Sequence, residues 1–238
     1  MHFDGEGHII VSPREIQEGA LADRANLINT VLIPGTPRAI PTHEQHHALL
    51  RYISDTIGIH PNYLFFKGST KIGFSIAPKK IKVWMEYGPS SDLDLAIVDP
   101  HFFQMVDSEV RRWEWNVENR GRVFQNHRLL KEYRNRHYHK GKFDCFRFFD
   151  LPKIACMDEL DSCLSNAPVL ACCEVNRPLR AFIFRDWWGI CKRYDHDLYC
   201  LERGLRNAAD PLPAGGADPR PYEEILDSGP DDADGEGD

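Results

Sequence analysis

Several features are missing from this sequence, and each absence excludes a class of protein. The seven cysteines are odd in number and include no CxxC pair, which argues against a disulfide framework and against a zinc ribbon. No apolar run approaches the roughly 20 residues that a membrane-spanning helix needs. Residues 1–7 are acidic and polar, without the basic and then apolar order of a secretory signal. We therefore expect a cytoplasmic protein with no membrane partner, whose cysteines are mostly small buried apolar residues.

Acidic charge is concentrated at one end of the chain. The net charge of the chain is −7. Residues 204–238 contribute −8, from ten acidic and two basic residues, so the rest of the chain carries +1. From residue 207 onward Pro, Gly, Asp and Glu dominate, and such a segment buries too little apolar surface to order itself. We expect a disordered acidic tail and a nearly neutral body that can still carry a basic surface.

The spacing of apolar residues predicts a mixture of helices and strands. After the favourable N-cap residue Thr42, apolar residues recur at helical spacing until Gly58 ends the pattern. Short alternating or continuous apolar runs predict strands. Helices are expected over 43–57, 101–138, 157–166 and 177–206, and strands over 63–66, 92–98 and 143–149, with a further short strand near 81–85.

These elements favour an α+β (mixed α/β) fold. Four prolines and glycines between residues 34 and 41 interrupt regular structure before the first clear helix. The aromatic residues over 182–199 are interpreted as core, because aromatic residues at helical spacing usually pack inside. We expect an N-terminal extension over 1–41, a core over 42–150, a helical lobe over 151–206 and the acidic tail over 207–238.

Two acidic residues begin the clearest strand. Asp92 and Asp94 precede a continuous apolar run, and side chains at positions i and i+2 of a strand point to the same face. Two carboxylates on one face provide the hard oxygen ligands that Mg²⁺ prefers. An earlier strand runs into Gly68-Ser69, a turn at which backbone N–H groups and a hydroxyl can approach a phosphate. We interpret Gly68, Ser69, Thr70 and Lys71 as nucleotide-binding residues.

The combination of Gly68-Ser69 with Ser91-Asp92-Leu93-Asp94-Leu95 resembles the signature of the DNA polymerase beta-like nucleotidyltransferase superfamily, over about residues 60–100. The resemblance implies a mixed β-sheet flanked by helices, with Mg²⁺ or Mn²⁺ as cofactor and a nucleoside triphosphate, first of all ATP, as substrate. It assigns Gly68 and Ser69 to the phosphates and Asp92 and Asp94 to the metal ions.

The family's third carboxylate is less obvious in this sequence. Asp144 lies inside the predicted strand 143–149, and Asp150 stands at its end. We prefer Asp144 as the third metal ligand and catalytic carboxylate, because it lies within a β-prone run. If neither residue reaches the metal ions, the protein is expected to bind a nucleotide and catalyse poorly or not at all.

The favoured function is therefore transfer of a nucleotide to an acceptor hydroxyl on RNA such as tRNA, on a protein or on a second nucleotide. Small proteins with this core resemble the nucleotidyltransferases of bacterial toxin–antitoxin and phage-defence systems, which suggests antiviral defence as a context by analogy. An alternative is a catalytically weak or inactive nucleotide sensor or partner subunit.

A basic stretch suggests a further partner. Residues 111–142 contain ten basic and three acidic residues with aromatic residues between them, a composition that suits RNA or single-stranded nucleic acid. An Arg-rich helix with an apolar stripe is also commonly just a solvated helix, and a contact with the acidic tail is a further alternative. An RNA-binding adaptor is thus a third candidate. The histidines at 43, 46 and 47, and those at 127, 137 and 139, are interpreted as surface or capping residues.

Overall fold

The computed structural model describes residues 2–76, 84–88, 91–119, 141–145, 154–170 and 179–209. The strands are β1 (His2–Phe3), β2 (Ile9–Ile10), β3 (Leu64–Phe66), β4 (Leu93–Val98), β5 (Lys142–Asp144) and β6 (Leu179–Phe184). The α-helices are α1 (Pro13–Ala22), α2 (Arg24–Leu27), α3 (His43–Ile57), α4 (Ser69–Ile72), α5 (Pro100–Asn119), α6 (Ala155–Leu170) and α7 (Trp187–Ala209). A π-helical turn (Ile28–Leu32) continues α2, and a 3₁₀ turn (Pro61–Tyr63) precedes β3.

Four strands form a mixed sheet in the order β3-β4-β6-β5. Strand β4 pairs antiparallel with β3 and parallel with β6, and β6 pairs antiparallel with β5. Asp94 faces Arg180 in the β4–β6 register, and Asp144 faces Phe182 in the β5–β6 register. The predicted α+β class is confirmed. The sheet combines strands from before residue 150, the predicted end of the core, with strand β6 from after it.

One face of this sheet is apolar along its whole length. Helices α3, α5 and α6 cover it and contribute most of the larger core cluster. Because the side chains of a strand alternate between faces, every second residue of β4, β5 and β6 points into this cluster. These residues are Leu93, Leu95, Ile97, Phe143, Leu179, Ala181 and Ile183, and each is nearly or fully buried.

The opposite face changes character along the strands. Helices α1, α2 and α7 and the π-helical turn cover its apolar part, where Ala96, Val98 and Phe184 are buried. Toward the beginning of β4 the same face carries Asp94, with Arg180 beside it on β6. Asp94 and Arg180 therefore place opposite charges side by side at this end of the face.

The prediction for α3 is confirmed in both its limits. The helix spans His43–Ile57, and the Thr42 side chain accepts a hydrogen bond from the N–H of Gln45. Gly58 ends it with φ of 70°, a left-handed conformation that glycine adopts without strain. The predicted strands over 63–66 and 92–98 are also present, as β3 and β4.

The secondary structure differs from the sequence prediction in two places. The first clear helix was expected only after residue 42, but α1 begins earlier, with a capping box between Ser12 and Glu15, and buries Ile16 and Ala20. The predicted helix over 177–206 begins only at Trp187, after strand β6. In β6, buried and half-buried residues alternate from Leu179 to Ile183, as expected for a strand with one fully covered face.

Some predictions lie outside the described residues. These include Asp150, most of the basic stretch 111–142, most of the short strand near 81–85, and the tail over 210–238. Where the chain is described, no helix is both long and apolar enough to cross a membrane.

Candidate functional site

The turn after β3 lies directly against the acidic end of β4. The N–H of Lys67 donates to the carbonyl of Asp94 over 2.9 Å, which aligns the two chain segments. Gly68 follows with φ of 64° and ψ of −145°, a conformation that is strained for residues with a side chain. A Cβ atom on Gly68 would lie 3.4 Å from Oδ2 of Asp94. The predicted proximity of Gly68-Ser69 to Asp94 is thus confirmed.

Thr70 holds the acidic segment by its backbone. Its hydroxyl donates to the carbonyl of Asp92 over 3.1 Å and accepts from the N–H of Asp94 over 3.0 Å. Thr70 is fully buried. Its side chain therefore positions the two acids and is not available to bind a nucleotide, which corrects the prediction for this residue.

Lys71 is also buried, with 2% of its surface exposed. Its Nζ donates to the carbonyl of Gly35, and the carbonyl of Lys71 accepts from the N–H of Arg38 over 3.0 Å. Burial lowers the pKa of Lys71 to about 7. The predicted nucleotide-binding role is wrong for this side chain too, because it points into the protein.

The two acids differ in their surroundings. Oδ2 of Asp92 lies 3.0 Å from a guanidinium nitrogen of Arg180, so that this carboxylate already has a cationic partner. Asp94 is half-buried, and burial raises its pKa, helped by the neighbouring charge of Asp92 and opposed by those of Lys67 and Arg180. Burial therefore disfavours the ionised form of Asp94 more than its cationic neighbours favour it.

A cavity of about 200 Å³ opens beside Asp94. Gly68 and Ser69 form part of its wall, and three cationic side chains line it: Lys67, Lys142 and Arg193. This volume is smaller than the roughly 300–1,000 Å³ of sites that enclose whole small molecules. A cavity of this size does not enclose a complete nucleotide.

Two of these cations share one aromatic ring. Nζ of Lys67 lies 3.8 Å from the centre of the Phe182 ring, and Nζ of Lys142 lies 4.8 Å from it. Burial lowers the pKa of both ammonium groups, and nearby carboxylates oppose the shift. Burial together with the charges of Arg193 and Lys67 lowers the pKa of Lys142 to about 7. Such a group of cations gains stability when an anion enters.

Helix α7 supplies the remaining wall of the cavity. Arg193 forms an ion pair with Asp197 one turn later, at 3.0 Å. Between them Tyr194 is buried, and its hydroxyl donates to the carbonyl of Leu32 over 3.4 Å. The tyrosine therefore fastens α7 to the π-helical turn and fixes the position of Arg193 relative to the sheet.

Asp144 is not brought together with the acidic pair. It lies on β5, and strand β6 separates β5 from β4. Within the described ranges, no three His, Cys, Asp or Glu side chains lie close enough together to hold a metal ion. Asp144 does contribute negative charge near Lys67, Lys142 and Asp94. The structure gives it an electrostatic influence on the cavity and does not place it as a third ligand.

Asp92 and Asp94 remain suitable for one divalent cation. Mg²⁺ is commonly held by one or two carboxylates together with the phosphates of the substrate. The raised pKa of Asp94 indicates that its ionised form would be stabilised by an added positive charge. The oxygen chemistry of the two carboxylates is therefore compatible with one divalent cation.

Sequence reasoning missed Lys67, Lys142, Phe182, Arg193 and Asp197, which line the cavity. Lys67 immediately precedes Gly68, and this position was the sequence signal that could have identified it. The other four depend on the pairing of β5 with β6 and on the course of α7, which no local pattern reveals.

Comparison with protein-family models, with curated proteins and with solved structures finds no match to this chain.

Proposed function

We propose that this protein is a metal-dependent nucleotidyltransferase of the DNA polymerase beta-like type. It transfers a nucleotide from a nucleoside triphosphate, first of all ATP, to an acceptor hydroxyl. The observation that carries the proposal is the contact between two separate segments: the Gly68 turn lies against the carboxylate of Asp94 at the beginning of a buried strand. Neither segment alone is specific, since glycine turns and exposed acids are common.

The charges around Asp94 support binding of a metal–triphosphate complex. Lys67, Lys142 and Arg193 offer cations to phosphate oxygens, while Asp92 and Asp94 offer carboxylates to Mg²⁺ or Mn²⁺. A divalent cation held by Asp92 and Asp94 would neutralise phosphate charge and favour attack by the acceptor hydroxyl. The small cavity would leave the nucleoside outside, where the acceptor can reach the α-phosphate.

The direct test is release of pyrophosphate from ATP, GTP, CTP and UTP with Mg²⁺ or Mn²⁺, for the wild type and for Asp94→Asn. Release by the wild type that is lost in the variant supports the proposal. Labelled nucleotides in a cell extract then identify the acceptor as RNA, protein or nucleotide. Binding without any release, with every nucleotide and every metal, would contradict catalysis.

A second candidate function is nucleotide binding without catalysis. The observation that favours it is the ion pair of Asp92 with Arg180, which occupies one of the two carboxylates with a cation of the protein itself. This form of the protein would act as a nucleotide sensor or as a partner subunit. ATP affinity that is equal with Mg²⁺ and with EDTA would favour it, since a protein that relies on the metal loses affinity in EDTA.

A third candidate, the RNA-binding adaptor, rests on the basic stretch, most of which lies outside the described residues. RNA affinity that falls steeply with salt and is unchanged in Asp94→Asn would favour it over the first two. Cytoplasmic location and a context in antiviral defence or in a toxin–antitoxin pair also remain proposals.

A further inference from the structure

Three histidines lie within the first two turns of α3. The segment His43-Glu44-Gln45-His46-His47 has the spacing His-Glu-x-x-His, which the interpretation of these residues as surface or capping residues overlooked. On a helix, residues i and i+4 lie on the same side, so that two histidines at this spacing can share one metal ion. His43 and His47 are exposed, whereas His46 turns inward and packs against Phe66.

The geometry brings the two exposed rings together. Nε2 of His43 lies 2.9 Å from Nε2 of His47, and the ring centres are 4.3 Å apart. Two nitrogens that bind one Zn²⁺ ion at about 2.0–2.1 Å and a tetrahedral angle are separated by roughly 3.4 Å. A small rotation of either exposed ring is enough to admit the ion between them.

The ring of His43 is held by a second contact. Its Nδ1 lies 3.0 Å from Oγ1 of Thr36, which is buried with 1% of its surface exposed. With the proton on Nδ1, His43 donates to Thr36 and presents the lone pair of Nε2 outward. An outer contact of this kind commonly fixes the tautomer of a metal-binding histidine.

We propose that His43 and His47 form a binding site for one transition-metal ion of the Zn²⁺, Ni²⁺ or Cu²⁺ class. Imidazole nitrogens select these ions over Mg²⁺, so the site is distinct from the acidic pair Asp92 and Asp94. Since no third protein ligand lies close enough within the described part of the chain, water completes the coordination. The site therefore binds the ion and releases it again, rather than holding it permanently.

The two histidines are connected to the Gly68 turn and to α4 through residues 35–40. Thr36, which orients His43, follows Gly35, whose carbonyl accepts from Lys71. The N–H groups of Arg38 and Ala39 donate to the carbonyls of Lys71 and Thr70 in α4. A metal ion that holds His43 in place should therefore also stabilise the segment that fastens α4, and raise the melting temperature of the protein.

The test is titration of the full chain with Zn²⁺ by calorimetry at pH 7.5, with His43→Ala, His47→Ala and the control His101→Ala. His101 is also exposed and lies on α5. Because other histidines and cysteines can bind Zn²⁺ weakly, the quantity compared is the affinity of the most tightly bound Zn²⁺ ion. We expect this affinity to fall at least tenfold in both α3 variants and to be unchanged in His101→Ala. Melting temperatures without metal establish that each variant is folded.

A second measurement uses the wild type alone. In ¹⁵N-detected NMR of the imidazoles, one equivalent of Zn²⁺ should shift the Nε2 signals of two histidines, while Mg²⁺ should leave them unchanged. Equal Zn²⁺ titrations for the wild type and His47→Ala, or unshifted imidazole signals, would show that the two rings share only a hydrogen bond and would overturn the proposal.

Discussion

The two faces of the four-stranded sheet differ in how far their apolar character extends. On the face covered by α3, α5 and α6, the inward residues of β4 are Leu93, Leu95 and Ile97, which are fully buried. On the other face, Ala96 and Val98 are buried at the end of β4, whereas Asp94 at its beginning borders the cavity. The same strand therefore has a fully covered face and a face that is partly open to the cavity. We call these the closed face and the open face of the sheet.

This difference indicates where the fold can tolerate charge. A carboxylate among the closed-face residues would have no water and no cation near it, at a cost of several kcal/mol. At the beginning of β4, Asp94 has Lys67 and Arg180 as neighbours and solvent in the cavity. The neighbouring positions 94 and 95 should therefore respond in opposite ways to substitution.

Asp94→Asn is expected to have the largest effect on activity. Loss of one of two metal-binding carboxylates should reduce pyrophosphate release by about 1,000-fold or more, or roughly 4 kcal/mol of transition-state stabilisation. The free energy of unfolding should change by less than about 1 kcal/mol, because burial already disfavours the ionised carboxyl. Initial rates and urea denaturation of the same preparations measure both quantities. A large loss of stability would contradict the division between the two faces.

Leu95→Ala should show the reverse behaviour. Leu95 is fully buried in the closed core, and its truncation leaves a cavity that costs about 3 kcal/mol of stability. The folded fraction should retain activity within a few-fold, since Leu95 points away from the cavity beside Asp94. Urea denaturation gives the stability change, and rates are compared per folded molecule. Equal stability of the variant and the wild type would indicate that the closed face is not tightly packed.

The closed face was the part of the fold that sequence predicted best. Helix 43–57 and strand 92–98 carry strong periodic patterns and clear caps, and both are present. The helices of residues 13–32 were missed although the sequence marks them, with a capping box at Ser12 and apolar residues at helical spacing such as Ile16 and Ala20. Strand β6 was assigned to a helix because its six residues adjoin a long helical pattern.

The sequence predicted only those residues of the candidate site that belong to short motifs. Gly68 and Asp94 belong to short motifs, and the structure brings them into contact. Thr70 and Lys71 were misjudged because side chains next to the Gly68 turn can point either to the solvent or into the protein. Both are buried, which the sequence does not show. Lys142 and Arg193 come from distant elements, so their place beside Asp94 depends on tertiary packing rather than on any motif.

Thr70→Val tests whether the open face also contains residues that serve only structure. The substitution keeps the volume of the side chain and removes the hydroxyl that bridges Asp92 and Asp94. Two buried backbone groups lose their partner, which should cost about 2 kcal/mol of stability. Thr70→Ser keeps the hydroxyl and should cost less. If Thr70→Val were as stable as the wild type in urea denaturation while Thr70→Ser were destabilised, packing of the methyl group rather than the hydrogen bonds would be responsible.

The smallest expected effect is a pH dependence of ATP binding that arises from Lys142. Its pKa of about 7 means that the ammonium group is charged below pH 7 and becomes neutral as the pH rises. A bound triphosphate stabilises the charged form and raises this pKa. The affinity for the triphosphate is therefore highest below pH 7 and falls above it. We expect a loss of about tenfold in the affinity for Mg²⁺–ATP between pH 7 and pH 9, measured by calorimetry.

Lys142→Arg separates this effect from other titrations, because a guanidinium remains charged throughout this range. The charged groups that act on Lys142 are Lys67, Arg193, Asp144 and Asp197, and among them Lys67 also has a pKa lowered by burial. The pH dependence should therefore shrink in Lys142→Arg without disappearing, and the remainder belongs to Lys67. The nucleotide contributes little, since its terminal phosphate, with a pKa near 6, is already ionised above pH 7. An unchanged pH profile in Lys142→Arg would place the triphosphate away from Lys142, and hence away from the open face of the sheet.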